Sequence, residues 1–410
     1  MCRRRTRTNL ASATCSSFPE QIRMNPMRWI VKLDDSNCQL SPQQMDLLLS
    51  LQDQQEEKRI RAFKKAANRH NSLIGRMMLQ KSACNALGKD PSSVKFGRTK
   101  EGKPYLQDHE AARRGLNSNV SHHGSFIALG MEEKGLVGVD LSPTTPRNNL
   151  SADTYFDDMR NCLTKKEWLN VRRAGTTDKE LFYAFFVHWA LKESYVKAVG
   201  IGLLVPMETI EFTIPSEILC LRIQRQRQNV HNPTSRIQRD SEIKVSVDGK
   251  ERGSWKFEMY MIEEGILMAV AVGPHADATP SYKKVIKDLL ESGEAHTCGG
   301  ANTNTSTQSS RTATISSSSN GKVNVAQRRE NNVAELTIRP EPAFSRCDSF
   351  SSDCSSESSA SSSEEEEHGA PEEEVKRIAE KETTLSGGLR TLSVEALLPE
   401  GLVTRFAQLA

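Results

Sequence analysis

Glu193 and Lys197 stand four residues apart in the stretch Trp189-Ala190-Leu191-Lys192-Glu193-Ser194-Tyr195-Val196-Lys197-Ala198. On a helix that spacing sets a carboxylate and an ammonium on one face. Their neighbours are largely bulky and apolar, and charges placed among such residues cost desolvation unless each finds a partner. A second acid, Asp140, closes the apolar run Leu136-Val137-Gly138-Val139. Two carboxylates remote in sequence, together with a lysine, can build a divalent-metal and phosphate site. Mg²⁺ in particular is usually held by one or two carboxylates plus substrate phosphates and waters. Taken singly, each residue also has a structural reading: Asp140 as a strand-end turn residue, Glu193 and Lys197 as a helix-stabilising pair.

Cations cluster upstream. Arg98 and Lys103 flank Gly102 in a turn, and Arg59 and Arg76 on a preceding helix could join the same pocket. A basic turn is often just a solvated loop. Here it offers a phosphate two cations and a glycine that permits close approach, and opposite charges ~4 Å apart attract by about 4 kcal/mol at an effective dielectric of ~20. Ser121-His122 could be a nucleophile and base, but no G-x-S-x-G elbow is present, and adjacent residues of an extended strand point to opposite faces. A hydrolase is therefore disfavoured. His109, His122 and His123 show no metal-ligand spacing either, which leaves Ser121 and His122 as phosphate-oxygen binders.

The elements that must position these groups follow from pattern. Met27 to Leu33 alternates like a strand. Ser41-Pro42 opens a helix, with Ser41 as cap and Pro42 at the first helical position. A helical stretch rich in Arg and Lys on one side runs from about 56 to 87. A turn and strand follow over 97–105, then a loop or short strand over 117–124. Ser125 to Leu129 and Leu136 to Leu141 read as paired strands. A helical region covers 151–173. Thr177 and Glu180 form a capping box that starts a helix running to Val199 and stopped by Gly200. Strands are expected near 208–214, 242–248, 254–260 and 265–271, around a basic insertion at 224–240.

Composition bounds the rest. The chain has 410 residues, 37% of them hydrophobic, with a net charge of +3. That length suits two or three domains, and so small a net charge gives no reason to expect nucleic-acid binding. Nine scattered cysteines without a CxxC pair argue against a disulfide framework and a zinc site, and for a reducing compartment. No apolar run approaches the ~18–20 residues that span a bilayer. Residues 1–24 read as a disordered basic extension, with a transit peptide as the alternative. From about 283 the serine runs and Glu364–Glu367 cannot bury enough apolar surface to offset ordering entropy. Residues 283–410 are expected to be a largely disordered tail, with short helical patterns near 372–382 and 391–408.

Taken in order, Glu57-Lys58-Arg59-Ile60, Arg98-Thr99-Lys100-Glu101-Gly102-Lys103-Pro104, Asn119-Val120-Ser121-His122, Val137-Gly138-Val139-Asp140 and the stretch from Trp189 to Ala198 resemble the two-lobed 4′-phosphopantetheinyl transferases. The likeness is to the animal type that modifies aminoadipate-semialdehyde dehydrogenase and fatty-acid synthase, and covers roughly residues 27–272. It implies an α+β fold of two similar lobes, 25–141 and 142–275, related by a pseudo-twofold with coenzyme A in the cleft. It implies transfer of the phosphopantetheine arm to a serine of an apo acyl carrier protein, with adenosine 3′,5′-bisphosphate released. On that resemblance Asp140 and Glu193 would hold Mg²⁺, and Lys197 would neutralise the leaving phosphate. Coenzyme A would be bound by Arg59, by Arg98, Thr99, Lys100, Glu101, Gly102 and Lys103, by Asn119, Val120, Ser121 and His122, and along Glu193, Ser194, Tyr195, Val196 and Lys197.

One departure stands out: many bacterial members carry Asp-x-Glu where this chain has Asp140-Leu141-Ser142, so the third metal ligand is expected to be water. A cytosolic monomer, without membrane or nucleic-acid partners, is the further expectation. Arg225, Arg227, Arg236 and Arg239 are a candidate surface for acidic carriers. The competing reading is a catalytically weak coenzyme A-binding protein whose tail serves as an interaction platform.

Overall fold

The structure, a computed structural model, describes residues 24–33, 40–146, 150–202, 205–215, 219, 242–263, 265–297, 383–384 and 389–409. The basic extension, the insertion with its four arginines and most of the serine-rich segment lie outside these residues.

The first lobe begins with β1 (Met27–Lys32), α1 (Pro42–Ser50), α2 (Gln54–Arg61) and α3 (Ala66–Leu87). Ser41 caps α1 in a full capping box with Gln44, and Asp53 caps α2 through the amides of Gln55 and Glu56. The helical stretch expected over 56–87 is broken at Ala62–Lys65. The break folds α2 back so that Arg59 Nη2 donates to Ser72 Oγ of α3 at 2.7 Å. The small ribbon of β2 (Phe96–Arg98) and β3 (Pro104–Leu106), then α4 (His109–Arg114), lead into the hairpin of β4 (Leu116–His123) and β5 (Phe126–Glu133).

The second lobe starts with β6 (Leu136–Pro143) and continues with α5 (Ala152–Asp158), α6 (Lys165–Arg173) and α7 (Asp178–Val199). It then adds β7 (Ile210–Thr213), β8 (Lys244–Val247), β9 (Lys250–Glu251), and the hairpin of β10 (Lys256–Glu263) and β11 (Ile266–Gly273). The expected capping box of Thr177 and Glu180 is present, and Gly200 ends α7 at a φ of 85°. The lobes are internally alike. Each packs one 22-residue helix, α3 or α7, closed by a left-handed glycine (Gly88 or Gly200), against an antiparallel strand pair, β4 with β5 or β6 with β11. The helices α3 and α7 each carry an apolar core, one centred on Leu73, Ile74 and Met78, the other on Phe185, Phe186 and Leu191.

The expected pairing of β5 with β6 is not what forms. β5 lies between β1 and β4, while β6 pairs along its whole length with β11. All eight residues of β6 are buried, as befits a strand covered on both faces. One face meets the first sheet, where Val137 and Val139 pack with Ile30, Phe126 and Ala128. The other meets α7. The second lobe's sheet therefore begins at Leu136, ahead of the expected boundary at 141.

The tail carries more structure than its composition suggests. α8 (Pro280–Thr297) crosses back from the second lobe to α4, with Gly293 against His109. Further on, β12 (Thr383–Thr384) pairs with β13 (Leu389–Leu392), which runs parallel to β1 in the first sheet, and α9 (Val403–Ala407) follows. Leu392, Leu397, Leu398 and Phe406 enter the core of the first lobe. The region expected to be largely disordered is thus ordered at both its ends.

Candidate active site

Between β4 and β6 side chains replace a backbone ladder. The amide groups of Val137, Val139 and Leu141 donate to Asn117 Oδ1 at 2.9 Å, Asn119 Oδ1 at 2.7 Å and Ser121 Oγ at 3.1 Å. Alternate residues of β4 share one face, so three side chains from the first lobe register the second. The bottom rung is shared with α7, because Lys197 Nζ also donates to Ser121 Oγ at 3.1 Å.

On the opposite face of β6, Gly138 admits α7 into backbone contact; a β-carbon there would lie 2.9 Å from Ala198 Cα. One residue pair further along, Asp140 meets the helix. Its Oδ1 accepts from Lys197 Nζ at 2.6 Å, and its Oδ2 accepts from Ser142 Oγ at 2.5 Å. Ser142 thus stands where an Asp-x-Glu pattern would place a second acid, and it holds Asp140 in place. Glu193, one helical turn before Lys197, is buried, and its Oε1 has no hydrogen-bond partner. Burial pushes its carboxyl up to about 7, with Lys197 pulling it down and Asp140 adding to the rise. Burial also opposes the Lys197 ammonium, but Asp140 and Glu193 outweigh it and hold that pKa above its usual value.

Asp140 and Glu193 suit a divalent cation: two carboxylates, one with an unpartnered buried oxygen, already biased toward a positive charge. No group of three or more His, Cys, Asp or Glu side chains with metal-binding geometry gathers among the described residues. The remaining ligands would be phosphate oxygens and water, as is common for Mg²⁺.

The expected basic cluster forms around Glu56. Arg59 reaches Glu56 with Nε at 3.0 Å and Nη2 at 2.6 Å, and Arg98 Nη2 stands 3.4 Å away. Arg76 packs over the Phe96 ring and binds Asp53. Burial would raise the Glu56 pKa, but Arg59, Arg98 and Arg76 hold it below its usual value. Arg98 in turn is lowered by burial first and by Arg59 second. Three guanidiniums against two carboxylates, Glu56 and Asp53, leave the cluster short of negative charge, which an incoming phosphate would supply.

Other expected contacts are placed differently. Lys103 is buried, and its Nζ donates to the carbonyls of Val137 at 3.2 Å and Lys197 at 2.9 Å. It caps the end of α7 rather than pointing out of the turn. Ser194, Tyr195 and Val196 also face the core. Ser194 Oγ donates to Leu191 O, Tyr195 packs on Trp255, and Val196 joins the second lobe's apolar cluster. Asn119 and Ser121 are rungs of the ladder, and Val120 is half-buried beside Gly75 of α3. Lys100, Gly102 and His122 are exposed. Thr99 is buried and its Oγ1 accepts from the Lys103 amide at 3.2 Å, while Glu101 accepts from Ser281 Oγ at the start of α8. The residues that sequence reasoning passed over are Glu56, Asn117 and Ser281. Asn117 and Ser281 act through partners 20 and 180 positions away, which no local pattern signals.

Residues 37–134 match a family model described as 4′-phosphopantetheinyl transferase, N-terminal, and residues 136–248 match one described as the 4′-phosphopantetheinyl transferase superfamily. The chain belongs to the 4′-phosphopantetheinyl transferase family and is a transferase. It is 32% identical over 236 residues to the L-aminoadipate-semialdehyde dehydrogenase-phosphopantetheinyl transferase of Mus musculus, covering 56% of this chain and 71% of the relative. With the protein of the same description from Homo sapiens it shares 30% identity over the same fractions, 56% and 71%. A 4′-phosphopantetheinyl transferase of Bacillus subtilis is 26% identical over 43% of this chain and 73% of its own length. The two family models meet between 134 and 136, where the chain leaves the first sheet for the second. No helix among the described residues is long and apolar enough to cross a membrane.

Proposed function

We propose that this transferase moves the 4′-phosphopantetheine arm of coenzyme A to a serine of apo carrier protein domains, of the fatty-acid-synthase and aminoadipate-semialdehyde-dehydrogenase kind, in a Mg²⁺-dependent reaction that releases adenosine 3′,5′-bisphosphate. The observation that carries the reading is the meeting of Asp140 and Lys197, 2.6 Å apart, beside the unpartnered oxygen of Glu193. A cation bound by Asp140 and Glu193 would offset charge on the pyrophosphate.

In the reaction the serine oxygen bonds to the phosphorus that carries the pantetheine arm. The bond from that phosphorus to the bridging oxygen breaks, and the leaving bisphosphate keeps the electron pair. Phosphoryl transfer of this kind needs alignment and charge stabilisation more than covalent help. Lys197 neutralises the leaving phosphate. Glu193 takes the serine proton directly or through water; such help typically gives ~10²–10⁴-fold. The arginines around Glu56 hold phosphate at the other end of the ligand. Both lobes of the cleft come from one chain, so the reading requires no second subunit.

The test is to incubate the protein with coenzyme A, Mg²⁺ and an apo carrier protein. The carrier gains the mass of one phosphopantetheine arm and adenosine 3′,5′-bisphosphate accumulates. A carrier that stays apo under these conditions overturns the proposal.

A further inference from the structure

The first sheet is completed by a strand from the far end of the chain. β13 pairs parallel with β1, Arg28 opposite Leu389 through Val31 opposite Leu392. The other edge of β1 is taken by β5. Without β13, β1 would be an edge strand with unpaired backbone groups. The segment after β13 then crosses α1. Leu392, Leu397, Leu398 and Phe406 are each no more than 5% exposed. Gln44 Nε2 donates to Phe406 O at 3.2 Å, and Ser41 Oγ, at the cap of α1, donates to Leu409 O at 2.5 Å.

Residues 298–388 separate this segment from α8. Separation of this length in sequence does not hold the segment in place, because the entropic cost of closing a connection rises only slowly with its length. What seats residues 389–409 is therefore their own contact surface. Docking of a covalently tethered segment is a binding equilibrium at an effective concentration of about millimolar or below.

The seat also touches the candidate site. α1 leads through Gln52 and Asp53, both bonded to Arg76, into α2 with Glu56 and Arg59. We propose that the free edge of β1 with the adjoining face of α1 is a peptide-accepting groove, and that its occupant is this chain's own residues 389–409. Docking there is reversible and steadies the arginine cluster. The last clause rests on the coenzyme A reading above; the docking itself does not.

The test uses the full chain with a specific protease site inserted within residues 320–340. After cleavage, a labelled synthetic peptide of residues 389–409 is added in excess. It exchanges into the protein, the same peptide carrying Leu392→Asp and Phe406→Ala binds roughly tenfold or more weakly, and washing the native segment out lowers Tm until peptide is restored. With the groove empty, coenzyme A affinity falls and recovers with peptide. A cleaved protein that neither takes up the peptide nor loses Tm when the segment is washed out overturns the proposal, as does a segment that no excess of peptide displaces. Peptide exchange with coenzyme A affinity unchanged overturns the coupling. Absence of coenzyme A binding in the intact, uncut protein condemns the coenzyme A reading instead, while the exchange and Tm results still decide the docking.

Discussion

Gly138 and Ser194 are in backbone contact: a β-carbon on Gly138 would stand 2.0 Å from the Ser194 carbonyl oxygen and 2.3 Å from the Ala198 amide nitrogen. The closeness of β6 to α7 is what lets Asp140 on the strand reach Lys197 on the helix. Gly138→Ala must push the two apart. Overpacking typically costs about 1–3 kcal/mol. Carrier loading is expected to fall much further than thermal stability, as measured by mass spectrometry and melting of the same preparation.

Glu193→Gln should abolish transfer and leave the fold intact. It should also alter the pH dependence of stability. Glu193 keeps its proton up to about pH 7 in the folded chain, against a usual value of 4.5. The unfolded chain therefore loses that proton first, and native stability falls as pH rises from about 4.5 to 7. The glutamine has no proton to lose. The variant should gain up to about 3 kcal/mol over the wild type at pH 8 and nothing at pH 4. Parallel melting curves at the two pH values would exclude this assignment.

Mg²⁺ should raise the Tm of the wild-type chain, because an ion that binds only the folded state stabilises it. Asp140→Asn and Glu193→Gln should each abolish that rise. A thermal shift that persists in both variants would place the ion elsewhere.

Arg59→Ala and Arg98→Ala should each weaken coenzyme A binding by roughly 10–100-fold, since hydrogen bonds to charged groups contribute about 1.5–3 kcal/mol. The loss should shrink at high salt, which already screens the contact. Calorimetry at two ionic strengths checks both points.

Lys103→Met should act on stability more than on ligand. Burial alone pushes the Lys103 ammonium down to about 7, while the carbonyls of Val137 and Lys197 and the C-terminal end of α7 favour its charge. Losing the ammonium leaves two buried carbonyls without this donor, at about 1–3 kcal/mol. Denaturant melts should show that loss, with coenzyme A affinity changed less than in Arg98→Ala.

What could be read from sequence was local. Thr177 with Glu180, Ser41 with Pro42, and the stop at Gly200 are signals a few residues long. Each appears in the structure because capping depends on neighbouring backbone groups. The four-residue interval between Glu193 and Lys197 and the position of Asp140 after an apolar run were legible for the same reason. Pairing partners were not. β6 and β11 are distant in sequence, and a strand buried on both faces carries no alternation to reveal which neighbour it takes. Around Lys103, residue type and spacing describe a basic turn without saying which side chain folds inward. Leu389-Arg390-Thr391-Leu392 was hidden by composition, since its few apolar residues follow a long polar run that dominates any average.

The three rungs between β4 and β6 have a consequence for how the halves communicate. The amides on either side of Asp140, those of Val139 and Leu141, are gripped by Asn119 and Ser121 of the other lobe. The acid is thus mounted on a strip whose footing lies in the other lobe. Under the proposed function, a ligand that shifts the arginine-bearing half would draw the carboxylate along with it, relaying fit at one end of coenzyme A to the transferred phosphate at the other.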